Sequence, residues 1–135
     1  MTELSDFLTE NQFITKENPL QIRDIIEVQK SLLQAGFHLL PEGFIKLLKI
    51  HNGIQSQSGA VLGIAPENKS LDILSFNKLH NHSTQKIIIG YDDFAFLIYD
   101  FKRQAYFLID KHDNMELDDF LEDELLSSIS SVLNF

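Results

Sequence analysis

Three β-branched and aromatic runs stand close together in the second half of the chain, and they limit the fold more than any other feature. Lys86 to Tyr91, Phe94 to Asp100 and Ala105 to Asp110 have the length and composition of strands. Asp92-Asp93 separates the first pair, and Phe101 to Gln104 separates the second. Links this short join antiparallel neighbours, because a parallel crossover needs about a dozen residues or more. The segment therefore reads as an antiparallel meander.

Helical patterns flank it. Asn18-Pro19 is a start signal, since Asn suits an N-cap and Pro the first helical position. Ile22, Ile25, Ile26, Gln29, Leu32 and Leu33 then follow a helical period with a mostly apolar face, and Gly36 stands where a left-handed cap would end it. Pro41 opens a second helix over Phe44, Ile45, Leu47, Leu48 and Ile50, with Lys46 and Lys49 toward its negative end and Asn52-Gly53 as its stop. A short helix is expected around Leu4, Phe7 and Leu8, and a strand from Ala60 to Ala65, stopped by Pro66. Leu71 to Leu79 reads as a short helix or an irregular segment, with a polar loop at His80 to Thr84. Leu121, Leu125, Ile129 and Val132 predict a closing helix from about Asp118 to Leu133, with Asp118 and Asp119 in its first turn. The expected fold class is α+β: an antiparallel meander sheet packed with N-terminal and C-terminal helices, in a single domain over 1–135.

Composition excludes several chemistries. The chain has no Cys, so disulfides, thiolate nucleophiles and cysteine zinc sites are absent. Cysteine-free sequence, an N-terminus without a signal-peptide pattern and no run of about 18–20 apolar residues together predict a cytoplasmic protein. A net charge of −9 argues against nucleic acid and against anionic membrane surfaces as partners. It suits a basic protein partner, or simple solubility.

No catalytic, cofactor or metal centre is expected. His80 and His82 spell HNH with Asn81, but the nuclease class of that name takes its residues from separated positions, and two imidazoles need further ligands to hold a metal. A calcium loop starting at Asp110 would place His112, Met115 and Leu121 where a ligand, Gly and Glu are required. No nucleophile elbow, P-loop or dinucleotide fingerprint occurs, and nothing singles out a carboxylate pair of the glycosidase kind.

Charge is distributed unevenly. Between Asp110 and Glu124 stand eight carboxylates against Lys111 alone, a net −7 of the chain's −9. The candidate protein-binding residues are Asp113, Glu116, Asp118, Asp119, Glu122 and Asp123, joined by Asp92 and Asp93 if their hairpin faces the same edge. The stretch is either a solvated helix start or a docking face for a basic protein, where it would speed encounter more than it raises affinity.

Leu40-Pro41-Glu42-Gly43-Phe44, then Leu47-Leu48 and His51-Asn52-Gly53, follow the first amphipathic helix. Ile89-Gly90, Tyr99-Asp100, Ile109-Asp110 and Asp119-Phe120-Leu121 come later in the same order. In these features the chain resembles the SUKH superfamily of fungal cell-wall-synthesis regulators and bacterial immunity proteins, and is most similar to its YrhA-like branch. Phe44 stands where the family often has Tyr, and Trp is absent. The resemblance implies a helix-plus-sheet fold without a catalytic set. For bacterial members it implies binding and neutralising of a toxin, often a nuclease. The expected function is a protein-binding module of the immunity type whose partner is a basic toxin domain. The alternative is a non-enzymatic interaction module in a regulatory or cell-envelope assembly.

Overall fold

The computed structural model describes residues 15–16, 22–64, 66, 68–81 and 83–133. The helix expected around Leu4, Phe7 and Leu8, and the Asn18-Pro19 start signal, lie outside them. Among the described residues, seven strands form one antiparallel sheet in sequence order. They are β1 (Thr15–Lys16), β2 (Ile54–Gln55), β3 (Gly59–Val61), β4 (Lys86–Asp92), β5 (Ala95–Asp100), β6 (Ala105–Asp110) and β7 (Glu116–Leu121). The helices among the described residues are α1 (Ile22–Gln34), α2 (Glu42–Leu48), α3 (Ile73–His80) and α4 (Leu125–Leu133), with a 3₁₀ turn at Lys69–Leu71. This is the α+β class with helices packed on an antiparallel meander.

Helix α1 buries Ile25, Val28 and Leu32, a stripe at three- and four-residue spacing. Ile22, Ile26 and Leu33 are exposed instead of lying on the core face. The helix ends in a Schellman motif: Phe37 N–H donates to Leu32 C=O, Gly36 N–H donates to Leu33 C=O, and Gly36 takes φ +93°. Pro41 stands at the N-cap of α2, which buries Phe44, Leu47 and Leu48 completely. That helix stops at Leu48, before Asn52-Gly53. Asn52 is buried and grips another segment: its amide donates to Ile64 C=O at 2.7 Å and its oxygen accepts from Ile64 N–H at 2.6 Å.

Strand β3 ends at Val61, short of the expected Ala65. Beyond it the chain bridges to Asp72 through Gly63 and enters the 3₁₀ turn and α3. The first half of β4 thereby loses its β3 neighbour, and α3 supplies replacements. Asn77, fully buried, donates to Ile88 C=O and accepts from Ile88 N–H, while Asn81 donates to Lys86 C=O. Two asparagine side chains, one in the last turns of α3 and one at its C-cap, thus stand in for a missing strand.

Helix α4 crosses one face of the sheet from β3 to β7. Its close approach requires Gly59, because a Cβ there would meet the Val132 and Tyr91 carbonyl oxygens at 2.3 Å. Val132 lies against Gly90, while Phe76 of α3 stacks on Tyr91, the next residue. Adjacent strand residues face opposite ways, so α3 and α4 cover opposite faces.

The main correction concerns residues 116–121. They form the edge strand β7, paired with β6 from Ala105↔Leu121 to Ile109↔Glu116, and not the first turns of a helix. Leu121 fits the helical spacing of Leu125, Ile129 and Val132, but it is exposed whereas those three are buried. Phe120 opposite Tyr106 anchors the segment as a strand.

Candidate protein-binding edge

The acidic residues lie on or beside β7, whose far side meets no strand among the described residues. Asp118, Asp119, Glu122 and Asp123 are all exposed. Apolar side chains are interleaved with them. Met115 is 63% exposed, Leu117 53% and Leu121 66%. Leu117 is the extra residue of a β-bulge, where the register steps from Leu108↔Asp118 to Ile109↔Glu116.

Most of these carboxylates have a definite local role. Asp118 accepts from Asp119 N–H, and Glu124 accepts from Leu121 N–H, both at 2.8 Å. Those donors are two residues apart, which places them on the side of β7 that faces away from β6. Glu122 accepts from the Tyr99 hydroxyl at 3.0 Å. Burial, with that bond and the Glu122 charge, pushes the Tyr99 hydroxyl up to about 12. Asp113 accepts from Met115 N–H. Asp110 accepts from the His112 and Asp113 N–H groups, in that order of strength, and they hold its carboxyl below the usual range.

Glu116 is engaged differently. Arg103 reaches across the Phe107 ring, with its guanidinium carbon 3.7 Å from the ring centre, and bonds both Glu116 and Asp100. The Arg103 bond keeps the Glu116 carboxyl low. Asp100 is nearly buried; burial alone would raise it, but bonds from the Arg103 side chain and the Arg103 and Lys102 N–H groups leave it lowered. Glu116 is therefore part of a structural ion pair and not an open charge.

Asp92 and Asp93 sit at the β4–β5 turn. Lys111 N–H donates to Phe94 C=O at 3.0 Å, so this turn adjoins the β6–β7 turn that carries Asp113. Asp92 spends its carboxylate on the Phe94 and Ala95 N–H groups, whereas Asp93 is exposed. Glu122 and Asp123 follow the other end of β7, about 17–20 Å away at strand rise. Six of the eight residues thus lie on β7 or in its flanking turns, whereas Asp92 and Asp93 stand at the turn between two interior strands at one end of the sheet; Asp119, Asp123 and Asp93 are the most open charges. The interleaved Met115, Leu117 and Leu121 could not be singled out in the sequence, because a helix reading turns Leu121 inward.

Among the described residues no group of three or more His, Asp or Glu side chains converges for a metal, and no helix is long and apolar enough to cross a membrane. No protein-family model and no curated protein matches the chain.

Proposed function

We propose that this chain is a non-enzymatic binding module that holds a basic protein on its β7 edge. Following the SUKH resemblance, we take the partner to be a toxin domain that the module neutralises in the cytoplasm. One observation carries the reading: exposed carboxylates and exposed leucines share a single edge strand, so a charged rim surrounds apolar anchors. The charges would steer a basic partner, and Leu117 and Leu121 would supply area removed from water. Docking is side chain to side chain. The bulge at Leu117 and the carboxylates on the Asp119 and Leu121 N–H groups guard the edge against an added strand.

The test is a tagged pull-down from the source cells, with partners identified by mass spectrometry and eluted across a salt gradient. The comparison is a variant with Asp118, Asp119, Glu122 and Asp123 changed to Lys. A basic toxin-like protein captured by the native chain, released by salt and lost in the variant is the expected result. Capture that survives the four reversals refutes the acidic edge. A regulatory or envelope assembly held on the same edge keeps the binding module and removes the toxin.

A further inference from the structure

A groove of about 630 Å³ opens between α3 and the β6–β7 turn, on the face away from α4. That volume falls in the range of small-molecule sites. Its floor is aromatic: Phe76 and Tyr91 stack at 5.0 Å and 9°, and Phe96 meets Phe76 edge-on at 5.9 Å. All three rings are half-buried and so remain reachable from the groove.

The rim carries charge of the opposite sign to the rest of the molecule. Lys69 and Lys111 line it, with the imidazoles of His80 and His112. Its acid, Asp72, already accepts from both the N–H and the hydroxyl of Ser75. In a chain of net charge −9, a groove with two lysines and one engaged carboxylate is a local exception. The Lys111 ammonium lies 5.4 Å from the centres of both the Tyr91 and Phe96 rings.

We propose that this groove binds a small planar anion of the ring-phosphate class, a mononucleotide or a close chemical relative. The ring would stack on the aromatic floor and the phosphate would sit between Lys69 and Lys111, with His80 and His112 as further donors. Lysines bind phosphate as point charges, and a phosphate of nearly two negative charges can answer both Lys69 and Lys111. Neither the fold of the edge nor the protein partner enters this assignment.

The test is heteronuclear NMR on the full chain, titrated separately with adenosine monophosphate, adenosine and inorganic phosphate. Adenosine monophosphate should give saturable shifts at Phe76, Tyr91, Lys111 and His112, and each half alone should bind about tenfold more weakly or worse. The double variant K69Q/K111Q should lose about tenfold in affinity, while K102Q, an exposed lysine on the β5–β6 turn, should not. No saturable shift, shifts confined to other surfaces, equal binding of either half, or equal losses in K102Q would each overturn the assignment.

Discussion

Replacing Asn77 with Leu tests whether α3 holds β4 by standing in for a strand. The side chain is fully buried and bonds Ile73 C=O, Ile88 C=O and Ile88 N–H at 2.8–2.9 Å. Leucine keeps the branching and the number of side-chain heavy atoms but is bulkier, and it orphans both Ile88 groups, at roughly 1–3 kcal/mol for each buried group left unsatisfied. The added apolar contact offsets part of this, leaving a net loss of about 3 kcal/mol. For 135 residues, at about 2.1 cal/mol/K per residue, that lowers Tm by roughly 10 °C. Thermal and urea unfolding measure the loss, and amide exchange should localise it to Ile88. Asn81→Leu, which gives up the Lys86 contact at a half-buried site, should cost about 1 kcal/mol. A Tm for Asn77→Leu within about 2 °C of native would refute the argument.

Three further outcomes are expected. Tyr106 buries a hydroxyl with no hydrogen-bond partner among the described residues, so Tyr106→Phe should stabilise by about 1 kcal/mol, a Tm rise of roughly 3–4 °C; a fall would show that the hydroxyl has a partner. Asp100 is held below its unfolded value, so its contribution is complete above the ordinary aspartate range and is lost as pH falls through the folded value; Asp100→Asn should flatten the acid limb of a stability–pH curve, and an unchanged limb would remove Asp100 from the linkage. Leu117→Ala with Leu121→Ala should weaken partner binding at least about tenfold by calorimetry while changing stability by less than about 0.5 kcal/mol, and equal affinity would deny the leucines an anchoring role.

The sequence made the meander legible because Asp92-Asp93 and Phe101 to Gln104 allow only antiparallel pairing, and α1 because Gly36 is its left-handed cap. Pro41 marked α2 equally well. What stayed hidden depended on distant partners. Asn52 reads as a helix stop until Ile64, twelve residues on, is seen in its grip. Local period draws the apolar face of α1 through Ile22, Ile26 and Leu33, which are exposed, because it cannot tell a core residue from a surface one when apolar positions crowd a helix. For β7 the conflict was sharper. Leu121 extends the α4 spacing by one turn, and only the pairing of Phe120 with Tyr106 decides for strand. The groove was invisible for the same reason: its rings and cations are drawn from Lys69 to His112.

Moving Asp118 and Asp119 from a helix start to an edge strand changes what the acidic stretch means. In a first helical turn, carboxylates would be explained by the dipole alone. On β7 there is no such dipole to answer, and the explanation must come from the edge itself. Part of it does: Asp118 and Glu124 occupy outward N–H groups, and Glu116 balances Arg103. That accounts for three of the charges and also closes the edge to uncontrolled strand addition. It leaves Asp119 and Asp123 exposed, beside leucines that an edge protected only for solubility would replace with polar residues. Guarding explains the engaged carboxylates, and the proposed docking would explain the open ones together with the leucines.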